Sequence, residues 1–276
     1  MKIKANAKIN LFLDVLGKRK DGYHNIKTVF QEVSLSDDIT IRETKKNGIK
    51  ITCNKKNVPT GSKNLCYIAA QFIKNISGTK KGVEITIKKN IPVGGGLGGG
   101  SSDAAAVLKA LNKLWNLKLG IKQLAGLGKT IGADVPFFLF GGRCLGVGIG
   151  DKLTPLKIKK TQWYVIVKPP FEISTKAAYL RLTKINKIGR IKSLKARLAI
   201  NAFYNRLEDA VIPLYHEIKK IKEELLDSGA KDSLMSGSGS CVFGTAENKS
   251  AGEKIKKHLK KDGYMVWLVH SVKSHL

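Results

Sequence analysis

Six glycines stand within the seven residues from Gly94 to Gly100, in the segment IPVGGGLGGGSSDAAAVL, and alanines and aliphatic residues follow at once. Glycine allows positive φ and close approach of the backbone to a ligand, and a helix N-terminus offers free N–H groups and a positive dipole end to an anion. A simple turn between a strand and a helix needs fewer glycines. The segment therefore predicts a phosphate-binding loop.

Two phosphate-loop patterns of other nucleotide-binding proteins match the chain only in part. Gly94, Gly96 and Gly99 fit the dinucleotide fingerprint G-x-G-x-x-G. However, the segment LGIKQLAGLGK, which follows after about twenty residues, offers no acidic residue for a ribose. The GLGKT segment at 126–130 resembles the end of a Walker A loop, but that loop needs a glycine where Gln123 stands.

Three segments together indicate a family. PVGGGLGGGSSDAA resembles the ATP-binding loop of the GHMP kinases, which are small-molecule kinases named after galactokinase, homoserine kinase, mevalonate kinase and phosphomevalonate kinase. LMSGSGSCVFG, at 234–244, is similar to the family's C-terminal glycine-rich loop, and AKINLFL is similar to its N-terminal motif. The three motifs occur in the expected order and span the chain.

One branch of the family is especially similar. AKINLFLDVLGKRKDGYHNIKTVFQEVSLSD and GADVPFFLFGG resemble kinases that phosphorylate the 2-hydroxyl of a cytidine diphosphate derivative of methylerythritol, in the non-mevalonate isoprenoid pathway. DGYH is the most specific piece, because it is not expected in galactokinase or mevalonate kinase. The chain departs from the branch at Asn6, where many relatives have proline, and at Asp151, where glutamate is frequent. The resemblance implies ATP and Mg²⁺ as cofactors and this small molecule as the acceptor.

The resemblance also implies a catalytic pair. A hydroxyl is a poor nucleophile near neutral pH, so a carboxylate that accepts its proton and a cation that balances the growing charge suit this reaction. Asp134 and Lys8 match the family's base and its partner. By sequence alone, Asp134 is equally a turn residue before Pro136, and Lys8 is one lysine among many.

Further residues of the chain match the family's ligand contacts. Aromatic rings suit a flat base, and PPFEISTKAAYL resembles the family segment that contributes such a ring, so the resemblance implies that Tyr179 stacks opposite Tyr23. Without the resemblance, Tyr179 would be an ordinary core aromatic residue. The substrate-binding residues implied by the resemblance are Asn10, Tyr23, His24, Thr175 and Tyr179. The nucleotide-binding residues implied are Asn64 and Lys89 near the adenosine, Gly94, Gly95, Gly96, Leu97, Gly98, Gly99 and Gly100 around the phosphates, and Ser101 and Ser102 at the exit of the loop. No ligand set for the metal is assigned.

The elements that must position these residues are both strands and helices. Alternation predicts strands at DDITIRE, GIKITC and GVEITIKK, and helical spacing predicts helices at NLCYIAAQFIKN and DAAAVLKALNKLW. The second of these helices should bury a stripe formed by Val107, Leu108, Leu111, Leu114 and Trp115, and Ser102 or Asp103 is placed to cap its start. Later, WYVIVKPP predicts a buried strand, and helices are expected at TKAAYLRLTK, NRLEDAVIPLYHEIKKIKEELLDS and AGEKIKKHLKKDG.

The family resemblance implies a two-domain α+β architecture. The N-terminal domain should be like ribosomal protein S5 domain 2, and the C-terminal domain should hold an antiparallel sheet backed by helices. We expect an ATP-binding domain at 1–155, a substrate-binding domain at 156–276, and the active site between them.

The net charge of +29, from 50 Lys and Arg against 21 Asp and Glu, would attract nucleic acid, acidic membranes or phosphorylated substrates. The basic runs are scattered, and they carry few of the aromatic residues that stack on single strands, which favours a solvated surface. We expect no specific nucleic-acid partner. Nucleic-acid binding is nevertheless an open alternative, as is a GHMP kinase of the homoserine or mevalonate type.

Composition excludes some classes of protein. The four cysteines form no C-x-x-C pair and the five histidines have no metal-ligand spacing, which argues against a disulfide framework or a zinc site. No apolar run reaches the roughly 18 to 20 residues of a membrane span, and polar residues interrupt the N-terminus before a signal-peptide core can form. The default expectation is a cytoplasmic monomer or homodimer without a membrane partner.

Overall fold

The structure is a computed structural model that describes residues 1–184, 203–260 and 263–274. The strands are β1 (Lys2–Lys18), β2 (His24–Thr44), β3 (Ile49–Cys53), β4 (Gly82–Lys88), β5 (Arg143–Gly148), β6 (Lys152–Leu156), β7 (Trp163–Lys168), β8 (Tyr204–Asn205), β9 (Ser233–Met235), β10 (Val242–Ala246) and β11 (Met265–His270). The helices are α1 (Leu65–Ser77), α2 (Gly99–Leu114), α3 (Ile121–Ile131), α4 (Val135–Phe140), α5 (Thr175–Lys184), α6 (Glu208–Val211), α7 (His216–Asp227) and α8 (Lys249–Lys260).

The first sheet is built around two long antiparallel strands, β1 and β2. Its order is β3-β4-β2-β1-β8, and β5 adds to β2 and carries β6. Isoleucines of β2 and β4, among them Ile39 and Ile85, are buried against helices α1 and α2. The three predicted strands of the first half lie in this sheet, and helix α1 coincides with the predicted helix, so these predictions are confirmed.

The second sheet is antiparallel throughout, in the order β11-β7-β10-β9. Strand β7 is the predicted buried strand, with every residue after Trp163 buried. Apolar residues of α7 and α8 pack against this sheet, and a further apolar cluster, which includes Ile9 and Tyr164, joins it to the first sheet. The α+β fold with an antiparallel sheet backed by helices is confirmed.

Helix α2 begins earlier than predicted. Its N-cap is Gly98, with φ of 70°, so the helix starts inside the glycine loop, and the cap predicted at Ser102 or Asp103 is wrong. The Ser102 hydroxyl instead donates to the Asn6 carbonyl, and Asp103 binds Lys89. Long-range partners for these two side chains therefore replace the local capping that their types favour.

The helical stripe and one later helix also differ from expectation. Val107, Leu108 and Leu111 are buried as predicted, but Leu114 is exposed and Trp115 lies at the helix C-cap. The helix expected over 205–228 is two helices, α6 and α7, with Pro213 between them. Proline lacks the N–H that a continuous helix needs, which accounts for the interruption.

Strand pairing extends the first sheet beyond residue 155. Strand β8 pairs in parallel with β1, and Ser271 bridges to Val33. The division of the chain into domains at 1–155 and 156–276 stays a prediction.

The glycine loop, residues 94–100, packs against the second glycine-rich segment, residues 234–244. The Gly96 carbonyl accepts a hydrogen bond of 3.1 Å from the Ser236 hydroxyl, and the Gly95 carbonyl accepts one of 3.2 Å from the Cys241 amide. Gly96 has φ of 73°, and a Cβ at this position would lie 2.1 Å from the Ser236 carbonyl oxygen. The contact between the two loops thus requires glycine at position 96.

We predict that Gly96→Ala lowers the free energy of unfolding by about 2 to 4 kcal/mol, because both the positive φ and the backbone clash oppose a side chain. Gly126→Ala is the matched control. A Cβ at Gly126, inside helix α3, meets nothing within 4 Å, so this variant should gain up to about 1 kcal/mol. Urea denaturation measures both values, and a stable Gly96→Ala protein would contradict the described loop packing.

Candidate active site

One cavity of about 960 Å³ is lined by residues of both predicted domains. Strand β1, the loop before β2, the glycine loop, the start of α4, helix α5 and the second glycine-rich segment all contribute to its wall. Of the predicted site residues, those that line it are Lys8, Asn10, Tyr23, His24, Asn64, Lys89, Gly94 to Gly100, Ser101, Asp134, Thr175 and Tyr179. The fold thus brings to one cavity predicted site residues that are up to 171 positions apart in the chain, the distance from Lys8 to Tyr179.

Lys8 and Asp134 face each other across this cavity. The Lys8 ammonium is buried on β1, with Nζ 3.7 Å from Asp134 Oδ2 and 2.7 Å from Asn10 Oδ1, to which it donates. Burial lowers the pKa of Lys8, and the neighbouring Asp134 carboxylate opposes that shift. A buried ammonium beside a carboxylate is therefore available where a reacting group would bind.

A chain of hydrogen bonds orients Asn10. Its Nδ2 donates to the Thr28 hydroxyl at 2.8 Å, and that hydroxyl donates to the Phe12 carbonyl at 2.7 Å. A hydroxyl has a single proton, which Thr28 donates to Phe12, so its oxygen must accept from the Asn10 NH₂ group. The Asn10 Oδ1 atom therefore faces Lys8. Sequence reasoning missed Thr28, since a buried threonine in a strand has no signature of its own.

Asp134 stands at the N-cap of helix α4, yet its side chain makes no capping hydrogen bond. An aspartate at this position ordinarily accepts from backbone N–H groups of the first turn. Here the side chain lies near Lys8 instead and is 32% exposed. Pro136, early in the helix, is compatible with a helix start that does not need the carboxylate.

The glycine loop is held through its carbonyl groups. Besides the contacts of Gly95 and Gly96, the Leu97 carbonyl accepts from the Lys8 amide at 3.0 Å and the Gly94 carbonyl accepts from the Ser240 amide at 3.4 Å. The first N–H groups of α2 have no partner within the helix, and its first turn carries no acidic residue. The loop and the helix start can therefore present N–H groups to phosphate.

Lys89 takes part in a buried ion cluster. Its Nζ contacts Asp37 Oδ2 and lies 2.9 Å from Asp103 Oδ2. Asp37 Oδ1 accepts from the amides of Asn90 and Ile91, at 2.6 and 2.8 Å. The cluster ties the end of β4 and the segment before the glycine loop to β2 and to helix α2. Lys89 lines the cavity, but its ammonium is already paired.

Asn64, the other residue predicted near the adenosine, is the N-cap of α1. Its Oδ1 accepts from the Cys66 amide at 2.8 Å, and its Nδ2 donates to the Pro59 carbonyl at 2.6 Å. Both polar groups of the side chain therefore have protein partners, although the residue lines the cavity.

The two serines after the glycines have different environments. Ser101 lines the cavity, whereas Ser102 does not. The buried Ser102 hydroxyl donates a hydrogen bond of 2.6 Å to the Asn6 carbonyl. The Ser102 hydroxyl thus bonds to β1, and the part of Ser102 in nucleotide binding stays a prediction.

The rings of Tyr23, His24 and Tyr179 form one part of the cavity wall, which we call the aromatic end. Tyr23 is 58% exposed, and the ring stacked on Tyr179 is that of His24, with centroids 5.0 Å apart and planes at 30°. In this structure Tyr179 therefore contacts His24 directly, whereas the sequence suggested Tyr23 opposite it. The Thr175 hydroxyl lies 2.8 Å from that of Ser238, a residue of the second glycine-rich segment that was not assigned individually.

Comparison with known proteins identifies the family. The model for the GHMP kinases N terminal domain matches residues 64–142, and that for the GHMP kinases C terminal matches 180–264. A 4-diphosphocytidyl-2-C-methyl-D-erythritol kinase of Clostridium botulinum is 42% identical over 281 residues, which cover 99% of this chain and 100% of that protein. The chain belongs to the GHMP kinases.

Solved structures agree with this family. The crystal structure of a 4-(cytidine 5'-diphospho)-2C-methyl-D-erythritol kinase has a TM-score of 0.83 and 33% identity, covering 98% of this GHMP kinase and 99% of the other chain. A homoserine kinase from Cytophaga hutchinsonii has a TM-score of 0.75 at 21% identity over 99% and 95% of the chains, which shows the shared fold. As a GHMP kinase, the protein uses ATP.

Among the residues that the structure describes, no helix combines the length and the apolar character that a membrane span requires. Within the same residues, no group of three or more His, Cys, Asp or Glu side chains is placed to hold a metal ion.

The ion cluster leads to a prediction about pH and stability. Asp103 Oδ1 is buried and has no hydrogen-bond partner among the residues that the structure describes. Burial raises the pKa of Asp103 to about 8, against the opposing charge of Lys89. An unfolded aspartate ionises near pH 4, so between about pH 4 and 8 the Asp103 side chain binds fewer protons in the unfolded chain than in the folded one. The contribution of Asp103 to the stability of the folded state therefore falls as pH rises in this window.

Asp103→Asn removes this ionisation. The measured quantity is the free energy of unfolding of the unmodified protein minus that of the variant. We expect this difference to fall between pH 6 and pH 8, by at most about 1.4 kcal/mol per pH unit. Urea denaturation of both proteins at three pH values measures the difference. A difference that is constant or rises with pH would show that Asp103 is ionised throughout.

Proposed function

We propose that this GHMP kinase transfers the γ-phosphoryl group of ATP to the 2-hydroxyl of 4-diphosphocytidyl-2-C-methyl-D-erythritol, giving the 2-phosphate and ADP in the non-mevalonate isoprenoid pathway. The observation that carries the proposal is the meeting of the Lys8–Asp134 pair, the glycine loop and an aromatic end in one cavity. The Clostridium botulinum relative, which matches over nearly its full length, bears the name of this enzyme.

In this proposal Asp134 is the general base. Its carboxylate accepts the proton of the acceptor hydroxyl while that oxygen forms a bond to the γ-phosphorus and the bond from the γ-phosphorus to the β,γ-bridging oxygen of the leaving ADP breaks. Lys8, held by Asn10, stabilises negative charge between the reacting groups. Burial strengthens that electrostatic contribution, because little water competes for the ammonium.

The nucleotide phosphates would bind the free N–H groups of the glycine loop and of the first turn of α2. Mg²⁺ is commonly held by substrate phosphates and water together with only one or two protein oxygens. The polar groups that line this cavity fit that pattern, and the Ser101 hydroxyl is proposed to supply one such oxygen. The ion would supply neutralisation of phosphate charge.

The aromatic end of the cavity favours an acceptor that carries a base. Tyr23, His24 and Tyr179 offer ring surfaces, and we place the cytosine among them. Homoserine and mevalonate contain no ring that could stack there, so these GHMP substrates remain the less favoured alternative. We assign no specific nucleic-acid partner to the surface lysines. We propose that the reaction, which consumes ATP, takes place in the cytoplasm. The enzyme is proposed to be a monomer or homodimer.

Asp134→Asn is expected to lower kcat by about 10²- to 10⁴-fold, because the amide cannot accept the hydroxyl proton. The dissociation constant for ATP should change little. Steady-state assays of ADP release with the cytidine diphosphate acceptor, together with nucleotide titration, measure both quantities. Asp227→Asn, at the exposed end of α7, is the matched control and should keep full activity. A folded Asp134→Asn enzyme with normal kcat would remove Asp134 from the mechanism.

Tyr179→Ala is expected to raise KM for the cytidine diphosphate acceptor and leave KM for ATP nearly unchanged. Stacking of a base on an aromatic side chain contributes roughly 1 to 3 kcal/mol in single-strand binders, which sets the scale of the loss. Tyr215→Ala is the control, because Tyr215 stacks on Phe171 outside the cavity lining. A rise in KM for ATP instead would mean that the two ends of the cavity are assigned in reverse.

A further inference from the structure

A threonine that does not line the cavity connects two residues that do. Thr183 lies in α5, with its Oγ1 3.0 Å from His24 Nε2 and 3.0 Å from the Tyr179 carbonyl oxygen. His24 begins β2 of the first sheet, 159 residues earlier in the chain. Thr183 therefore joins the two sides of the aromatic end by a polar contact.

The number of protons on Thr183 determines the direction of these bonds. Both contacts can be hydrogen bonds at once only when the single hydroxyl proton is donated to the Tyr179 carbonyl and the hydroxyl oxygen accepts from His24 Nε2–H. A neutral imidazole has one N–H group, and the tautomer is set by the hydrogen bond that this group makes. Burial, with the Lys18 charge second, lowers the pKa of His24, which favours the neutral ring at neutral pH.

The same contact restrains the His24 ring. The ring lies in stacking contact with the Tyr179 ring, and only 7% of the residue is exposed. Rotation of the imidazole by 180° would place a carbon atom against the Thr183 hydroxyl and lose the bond. Thr183 thus selects both the tautomer of His24 and the ring face presented to the acceptor.

We propose that Thr183 is a positioning residue for the acceptor: it holds His24 as the Nε2–H tautomer against Tyr179, so that the aromatic end is formed before the acceptor binds. This inference rests on the proposed function, because it assigns the acceptor to that end. Preorganisation of a binding surface contributes affinity by reducing the ordering required when the ligand arrives.

Helix α5 has other anchors that should keep it in place when the Thr183 hydroxyl is removed. Ala178 and Leu182 are buried in the core of the second sheet, and Thr175 bonds to Ser238 at the other end of the helix. Thr183→Val retains the shape and the branched Cβ of threonine, so the folded structure should survive the substitution.

The kinetic test compares Thr183→Val with Thr183→Ser. Loss of one hydrogen bond in the valine variant should raise KM for the cytidine diphosphate acceptor about fivefold to tenfold, with kcat and KM for ATP within about twofold of the unmodified enzyme. Serine keeps the hydroxyl and should restore KM. The matched control is Thr130→Val, since Thr130 bonds to a carbonyl of its own helix α3 at an exposed position. An unchanged KM for the acceptor in Thr183→Val overturns the proposal.

A double-mutant cycle tests whether Thr183 acts through His24. In a His24→Ala background, Thr183→Val should have little further effect on KM for the acceptor. An equal effect in both backgrounds would show that Thr183 acts through the helix alone, which contradicts the proposal.

The tautomer of His24 can be measured without any activity, so it separates this inference from the proposed function. Long-range ¹H–¹⁵N correlation spectra of histidine-labelled protein report the tautomer, and the His24→Ala variant identifies the His24 signals. We expect the Nε2–H form in the unmodified protein and in Thr183→Ser, and a mixture of forms in Thr183→Val. An Nδ1–H tautomer in the unmodified protein overturns the proposal, even if the enzyme phosphorylates the expected acceptor.

Discussion

A phosphate-binding loop must keep its N–H groups free for the ligand and still be held in one conformation. In this kinase the carbonyl groups of the loop meet the second requirement. They accept hydrogen bonds from β1, through the Lys8 amide, and from the second glycine-rich segment, through Ser236, Ser240 and Cys241. Both sheets therefore contribute to one loop, and the rest of the site depends on how they meet there.

The same junction explains the geometry of the Lys8–Asp134 pair, which is proposed to be catalytic. The amide of Lys8 holds the loop, and its side chain reaches towards Asp134 at the start of α4. One residue of β1 therefore both positions the loop and places an ammonium beside the proposed base. A buried ammonium is costly unless it has polar partners, and Asn10 and Asp134 provide them.

Charge has different roles in different parts of this strongly basic chain. Lys8 and Lys89 are both buried and both near the glycine loop, but Lys89 is paired with Asp37 and Asp103, whereas Lys8 lies beside one carboxylate at 3.7 Å. The Lys89 cluster stabilises the approach to the loop, and Lys8 retains an interaction that a substrate can share. Many other lysines, such as Lys50, are exposed, and their ion pairs contribute little to stability.

Local patterns in the sequence were enough to predict several elements. Alternation and helical spacing predicted the strands of the first half, helix α1 and the buried strand β7, and these predictions are confirmed because each depends on residues that are neighbours in the chain. The glycines at 94–100 predict a phosphate loop through their backbone freedom. The family resemblance added Lys8, Asp134 and Tyr179, which the fold brings to one cavity and whose roles stay predictions.

The partner that each polar side chain finds depends on the tertiary structure. Ser102 was predicted as a helix cap, but its hydroxyl donates to a carbonyl of β1. Thr28 and Thr183 had no distinguishing pattern, yet one orients Asn10 and the other contacts His24. Such hydrogen bonds form between groups that are distant in the chain and that packing brings together. A short polar side chain bonds to the suitable group that lies within about 3 Å of it. Local sequence determines the backbone's preferences, whereas long-range packing determines these contacts.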